Sequence, residues 1–280
     1  MPMVTLLCTV RGCRRPLSRK SNRFVCERGH SFDVARSGYL NLLQPQDRRS
    51  ANPGDSKEAV AARRRFLERG FARQIADRGS RIAGAKRDLR SAIRDPILDV
   101  GCGEGYFTAE AGATHGVDIS VPAIDAAARK YKDCFFIVAN ADRFLPYADH
   151  SFDLVMSITA RMNPVEFERV LAPDGRLLIV LPAPDDLIEL REAVLGEGTL
   201  IDRVDRTVAT FANFKLEEHE RVATVAHLDR DAIHDVMASS YRGLRTKQRE
   251  RLSALADLDV TLSRDLLLFT SSLSRPSSRS

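Results

Sequence analysis

Four metal-ligating side chains fall within 23 residues near the start of the chain: Cys8, Cys13, Cys26 and His30. They read as Cys8-x4-Cys13 and Cys26-x3-His30, with twelve residues between the pairs. Thiolate sulfur and imidazole nitrogen are the donors that tetrahedral zinc prefers, and four protein ligands leave no position for a reactive water. The chemistry is therefore structural: one zinc ion would supply folding energy to a segment too small to bury a core of its own. Gly12 and Gly29 each precede the second ligand of a pair, where a tight turn is needed. The competing reading is three free thiols and a surface histidine.

A second constellation lies at Asp99-Val100-Gly101-Cys102-Gly103-Glu104-Gly105, after a short apolar run and before a helical pattern. Glycines at Gly101, Gly103 and Gly105 let the backbone approach a ligand closely at the C-terminal edge of a sheet. Asp118 stands 19 residues after Asp99, at the end of the next apolar run, where a carboxylate can bind both ribose hydroxyls. A dinucleotide pyrophosphate wants the helix N-terminus free of negative charge. Glu104 occupies the loop itself, which disfavours a pyrophosphate and suits a sulfonium cofactor, S-adenosylmethionine (SAM). Asp99 and Glu104 join the glycines and Asp118 as candidate cofactor residues.

Elements must carry these residues to one place. Short apolar runs at 97–100, 116–119, 135–139, 152–158 and 176–181 alternate with helical patterns at 106–113, 122–131 and 165–171. Strands this apolar, alternating with helices, predict a mostly parallel sheet covered on both faces. Runs at 222–228 and 258–269 are expected to complete it, as an antiparallel edge. Upstream, Asn52-Pro53-Gly54 is a turn, and Asp55 is expected to cap a helix that ends at Gly70. Arg63, Arg64 and Arg65 fan around that helix and are candidate phosphate contacts. The domains expected are 1–45 for zinc binding and RNA recognition, 46–95 as a basic helical connector, and 96–270 for the sheet. A Ser/Arg/Pro tail, 271–280, is expected to be disordered.

Charge points the same way. Residues 1–95 carry 22 Lys+Arg against 9 Asp+Glu, whereas 96–280 carry 21 against 29, a balance of +13 followed by −8. A basic first third joined to an acidic remainder suggests a polyanion-binding part attached to something else. No apolar run approaches the roughly 20 residues that span a bilayer, which excludes a membrane partner. No signal-peptide pattern is present, and five cysteines do not suit a disulfide framework, so a cytoplasmic protein is expected.

The Asp99-to-Gly105 string closely resembles the first motif of class I SAM-dependent methyltransferases. In order behind it, Asn140-Ala141-Asp142 is similar to the adenine-contacting motif, which makes Ala141 and Asp142 cofactor candidates. Phe152-Asp153-Leu154-Val155 is similar to the fourth strand, and 169–175 to the helix and turn before the fifth. With the zinc cluster in front, the chain resembles the RlmA-type 23S rRNA (guanine-N1)-methyltransferases. Arg15-Pro16-Leu17, the string from Gly29 to Asp33, the string from Ser37 to Leu43, Pro53-Gly54-Asp55-Ser56-Lys57-Glu58 and the string from Ala62 to Leu67 carry that likeness. It is strong over 13–70 and 97–131, patchy to about 195 and faint beyond.

The resemblance implies a Rossmann-like α/β fold with a seven-stranded sheet, an N-terminal zinc ribbon, SAM as cofactor and 23S rRNA as partner. It also implies N1 of a hairpin guanine as target and, for many members, a homodimer. Three departures stand out. Gly70-Phe71-Ala72 lacks the family's SAM-contacting Tyr, Asp186 replaces a SAM-contacting His, and Thr159-Ala160-Arg161 replaces a Tyr-Ala-Pro-like motif. Guanine N1 carries a hydrogen, so a base is needed. Asp142, Asp186 and Arg161 (the last to stabilise charge on O6) are the candidates, and none is singled out. The alternatives are a methyltransferase for another RNA or a small molecule, and a zinc RNA-binding protein with an inactive methyltransferase fold.

Overall fold

The computed structural model describes residues 4–48, 50, 52–84, 96–196, 198–241 and 243–271. The end of the expected connector, 85–95, and the expected disordered tail beyond Ser271 lie outside the described residues.

The chain opens with a small antiparallel sheet in the order β1 (Leu17–Lys20), β2 (Arg23–Cys26) and β3 (Ser31–Asp33). β2 ends on a zinc-type ligand, Cys26, so the strand itself delivers that sulfur. The next strand, β4 (Leu40–Asn41), leaves this module and pairs in parallel with β7 (Phe135–Val138) of the large sheet. Two residues counted with the zinc-binding segment thus belong structurally to the larger body.

α1 (Lys57–Glu68) begins one residue later than the expected cap. Ser56, not Asp55, accepts from the Ala59 amide at 3.2 Å. Asp55 contributes its carbonyl instead, accepting from Ser120 Oγ at 2.8 Å. Gly70 ends the helix with φ of 86°, its amide donating to the Leu67 carbonyl at 2.9 Å, as a C′ glycine should. Val60, Ala62, Phe66 and Leu67 form its buried stripe. α2 (Arg73–Gly84) follows.

The large sheet comprises β4 together with β5 (Ile97–Val100), β6 (His115–Asp118), β7, β8 (Phe152–Ile158), β9 (Leu171–Pro182), β10 (Phe214–Asp229) and β11 (Asp257–Ser271). Their order is β10-β11-β9-β8-β5-β6-β7-β4. The strands from β4 to β9 pair in parallel, and β11 is antiparallel to both β9 and β10. The expected seven strands are all present, and β4 adds an eighth that the 3.6-residue and two-residue periodicities could not reveal in so short a run. The turn expected at 173–175 falls inside β9, as a break in its register with β8.

α3 (Tyr106–Glu110) and α4 (Val121–Lys130) follow β5 and β6, and α5 (Pro164–Val170) follows β8. After β9 come a short α6 (Ile188–Leu190), a π-turn (Arg191–Leu195) and α7 (Val204–Thr210). α8 (Arg230–Ser240) and α9 (Thr246–Ala254) link β10 to β11. The chain runs outward from β5 through β6 to β7, then returns to β8 on the other side of β5. That reversal leaves a crevice at the strands' C-terminal ends, where open α/β sheets bind ligands. One apolar core includes Leu6, Cys8 and Leu17 of the module together with Leu98, Val100 and Phe152 of the sheet. The two bodies are therefore packed, not tethered.

Candidate functional site

The four expected metal ligands converge, with their donor atoms all within 4.8 Å of one another. Tetrahedral zinc with Zn–S of about 2.3 Å and Zn–N of about 2.0 Å places ligand atoms roughly 3.5–3.8 Å apart. Here Cys13 Sγ and Cys26 Sγ are 3.8 Å apart, and His30 Nδ1 lies 3.4 Å from both Cys8 Sγ and Cys26 Sγ. The set fits a closed, structural zinc site. Local turns build it: the Cys13 amide donates to the Val10 carbonyl and the Gly29 amide to the Cys26 carbonyl, each at 2.9 Å. Burial pushes the Cys8 thiol up to about 12, so a thiolate at that position needs a cation among its neighbours.

The glycine loop sits at the crevice between β5 and β8. Gly101, Gly103 and Gly105 all have positive φ. A Cβ on Gly101 would lie 2.3 Å from the Ala160 Cβ, so only glycine lets the loop pass under the residues after β8. Asp118 at the end of β6 accepts the Gly103 amide at 3.0 Å and the Ser120 amide at 2.7 Å. Its carboxylate is thus pinned against the loop. A cavity of about 670 Å³ opens here, bordered by Gly101, Asp118, Asn140, Ala141 and Asp142. Gly54 of the upstream turn closes over it, with no room for a Cβ against Ser120.

Three acids concentrate around the loop. Burial pushes Asp99 up to about 7, although Thr108 Oγ1 donates to its Oδ2 at 2.6 Å. Its Oδ1 is buried and has no hydrogen-bond partner among the described residues. Burial also raises Glu104 and Asp118. Arg63 offsets part of this charge, 3.5 Å from Glu104. Asp55, Asp118 and Asp142 border the cavity itself, carboxylates that suit a cationic sulfonium cofactor better than a pyrophosphate, so the residues present fit SAM.

Arg63, Arg64 and Arg65 do not form the expected outward grip. Arg63 turns into the crevice, Arg64 donates to the Ala126 carbonyl at 3.3 Å, and Arg65 forks onto Asp235. Their helix packs against α4 and α8, which gives Arg64 and Arg65 partners on those helices, although Arg65 stays 60% exposed. Exposed cations of the basic third lie on the zinc module, among them Arg11, Arg14, Arg19, Lys20, Arg23 and Arg28, and also on the two helices, at Lys57, Arg65, Arg69, Arg73 and Arg81.

The three candidates for proton transfer are also placed. Asp142 is exposed at the rim of the cavity, 3.7 Å from Arg161, whose side chain is largely in solvent. Asp186 lies apart from both and is buried, its Oδ1 accepting the Ser263 amide at 3.0 Å. Sequence reasoning missed Ala160 as the wall over Gly101 and Arg63 as a crevice residue. A run of three arginines signals charge but not which of them points inward. Among the described residues no helix is long and apolar enough to cross a membrane.

Comparison with known proteins finds a family match in each of the two bodies. A zinc-ribbon family described as RlmA, N-terminal, matches residues 7–51, and a methyltransferase domain family matches 98–179. The chain is 33% identical over 264 residues to a 23S rRNA (guanine(748)-N(1))-methyltransferase of Streptomyces fradiae, covering 90% of this chain and 92% of that one. It is 31% identical over 263 residues to YxjB of Bacillus subtilis (strain 168), a candidate 23S rRNA (guanine-N(1)-)-methyltransferase, covering 87% and 89%. Among solved structures, the YcgJ protein of Bacillus subtilis aligns with a TM-score of 0.48 at 15% identity, covering 69% of this chain and 98% of that one.

Proposed function

The chain belongs to the 23S rRNA (guanine-N1)-methyltransferases, and from that premise we propose that it methylates N1 of one guanine in a hairpin of the large-subunit rRNA. It is a SAM-dependent methyltransferase with a structural zinc. The observation that carries the RNA reading is the docking of the basic zinc module on the sheet edge beside the cofactor crevice. β4 pairs with β7, the strand that runs directly into Asn140, Ala141 and Asp142. RNA gripped by the module therefore passes close to the crevice mouth.

When bound, SAM supplies a methyl group already activated by its sulfonium. Asp118, Ala141 and Asp142 would hold the adenosine end, with Gly101 and Gly103 giving the backbone its close approach. Asp99, Glu104 and Gly105 shape the loop, and Arg63 sets its charge. Cys8, Cys13, Cys26 and His30 hold the zinc that orders the module. Residues 1–45 recognise RNA, 46–95 connect, and 96–270 perform transfer. The module's arginines and lysine neutralise phosphates, which makes binding salt-dependent. A homodimer, as in many members of the family, and a cytoplasmic location follow from the same reading.

The test is methylation of deproteinised large-subunit rRNA with labelled SAM, read by nucleoside mass spectrometry and reverse-transcriptase stops. N1-methylguanosine at a single stop is the expected product. A different methylated nucleoside would keep the enzyme class and overturn the target.

A further inference from the structure

A further group of side chains meets where the zinc module packs on the sheet domain. A cleft of about 140 Å³ opens there, between the Cys8-to-Cys13 turn and the loop after β7. Arg11 and Arg14 line it from the turn, and Arg143 and Phe144 from the loop. Asp47 completes the rim, paired with Arg143. Ala139 and Asn140 border both this cleft and the cofactor cavity, so the two adjoin.

The walls are fixed before any ligand arrives. Thr9 Oγ1 donates to the Leu42 carbonyl at 2.6 Å, and Gln44 Nε2 donates to Thr9 Oγ1 at 3.1 Å. These bonds tie the turn to the segment that runs on from β4. Across the cleft, the Arg143 and Phe144 amides both donate to the Asn140 carbonyl at 3.1 Å, which closes the loop into one turn. Arg14 lies over the Phe144 ring, 4.6 Å from its centroid, and Arg169 lies 5.0 Å from the same ring. That contact sets a guanidinium of the module against the sheet domain. Among the described residues, Arg11 and Arg14 have no carboxylate partner.

The cleft and the cofactor cavity differ in sign. Three guanidiniums against one carboxylate line the cleft, whereas Asp55, Asp118 and Asp142 border the cofactor cavity against Arg63 and Arg161. A nucleotide divides in the same way, into an uncharged base and an anionic phosphate. The carboxylates at the crevice repel a phosphate. The cleft beside it offers forked N–H donors that match phosphate oxygens.

We propose that the cleft seats one backbone phosphate of the RNA strand that feeds the target base into the crevice, held jointly by Arg11 and Arg14 of the module and Arg143 of the sheet domain; this rests on the RNA methyltransferase reading above. The seat is composite and exists only while the module is docked. Without the module, Arg143 faces Asp47 alone. Without the sheet domain, Arg11 and Arg14 have no second wall. The seat sets the register of the strand: a phosphate fixed in the cleft leaves its neighbouring nucleotides beside Asn140, at the crevice mouth. The base completes the path only when it is unpaired. Asp47 competes with the phosphate for Arg143, which gives the test an unusual sign.

The experiment uses synthetic target hairpins in which a single methylphosphonate removes one backbone charge, moved one position at a time past the methylated guanosine. Affinity is measured with the full-length, zinc-loaded protein and S-adenosylhomocysteine. Wild-type protein is expected to show one position, or two neighbouring ones, where neutralisation weakens binding about tenfold. Arg14→Ala should weaken the unmodified hairpin about tenfold and erase the penalty at that position. The double variant Arg143→Ala with Asp47→Asn should do the same at the same position. Each should lower the log–log salt slope by about 0.7. Asp47→Asn alone should tighten binding about threefold, because it releases Arg143; loss of a merely structural ion pair would weaken it. Zinc content should be normal, and SAM affinity within twofold of wild type, in every variant. If Arg14→Ala loses zinc, Arg11→Ala takes its place.

Three results would overturn the seat: equal penalties all along the backbone, a penalty that survives in either variant, or weaker binding by Asp47→Asn. Wild-type protein that shows the coupled position but yields a nucleoside other than N1-methylguanosine would keep the seat and defeat the target reading. Wild-type protein that binds no rRNA hairpin would defeat both.

Discussion

The zinc module and the sheet domain reach order by opposite routes. The sheet domain buries long apolar runs, with β5 and nearly all of β8 inaccessible to solvent. The module's three strands are mostly exposed, and its interior is dominated by four ligand side chains. Yet Leu6, Cys8 and Leu17 share a core with Leu98 and Phe152, and the Leu42 amide donates to the Val138 carbonyl at 2.9 Å. The difference teaches that the metal's reach extends past its own module. Order around zinc is passed through β4 to β7, the strand that leads into Asn140, Ala141 and Asp142 at the crevice.

The most severe way to break this comparison is to remove the ion. Zinc binding in small modules is worth on the order of 10 kcal/mol of folding free energy. Cys13→Ser should therefore lose the metal and unfold residues up to about 45, seen as fast hydrogen exchange there. The effect should spread. Asn140 Nδ2 donates to the Asp47 carbonyl at 2.9 Å, just beyond β4, and loss of that contact together with the β4–β7 pairing should weaken SAM binding about tenfold in calorimetry. An unchanged SAM affinity in zinc-free protein would mean that the two bodies are independent.

The next largest effect is confined to the sheet domain. Gly101→Ala places a Cβ 2.3 Å from the Ala160 Cβ, on a residue with φ of 76°. Left-handed strain and overpacking together cost about 3 kcal/mol, roughly 100-fold in SAM affinity if the loop yields. Gly84→Ala, with nothing within 4 Å of the added atom, is the control and should change neither stability nor binding measurably. Zinc content should be normal in both, which separates a crevice defect from a module defect.

A third measurement uses pH. Asp99 ionises near 3.8 when unfolded, and burial pushes it up to about 7 in the native protein. The native state then holds this proton more tightly than the unfolded chain, so its contribution is fully present below about pH 4 and is lost as pH rises towards about 7. The difference is on the order of 4 kcal/mol. Thermal melts of the SAM-free protein should thus fall through that window, and Asp99→Asn should flatten the decline. A wild-type melting temperature that rises steadily from pH 4 to 7 would contradict the burial of this carboxylate.

Much of this was legible because local chemistry and spacing carried it. Cys8, Cys13, Cys26 and His30 meet because each pair is closed by a turn that its own residues define. Gly101 to Gly105 and Asp118 lie at strand ends that the apolar runs mark. β4 was not legible: two residues, Leu40 and Asn41, hold no periodicity, and only pairing with β7 makes them a strand. The partnership of Asp186 with Ser263 and Arg264 was equally hidden, since 77 residues separate Asp186 from Ser263 and no spacing rule spans them. Helix capping failed by one residue because Asp55 and Ser56 are both competent caps, and tertiary contact with Ser120 fixes the Asp55 backbone elsewhere.

The smallest expected effect sharpens the comparison on the RNA side. Arg65 is still 60% exposed, but it is forked onto Asp235 and sits away from the module. Arg19, Lys20 and Arg23 are exposed on the module, on the hairpin of β1 and β2. Phosphate contacts reveal themselves in the salt dependence of binding, each contributing about 0.7 to the log–log slope for single-stranded RNA. Replacing Arg19, Lys20 and Arg23 together by alanine should lower the slope by about 2, measured by filter binding of the target hairpin. Arg65→Ala should leave it within about 0.3, because a guanidinium already held by a carboxylate releases few counterions. The reverse ranking would return phosphate binding to the α1 arginines and leave the module's charge as a solvated face.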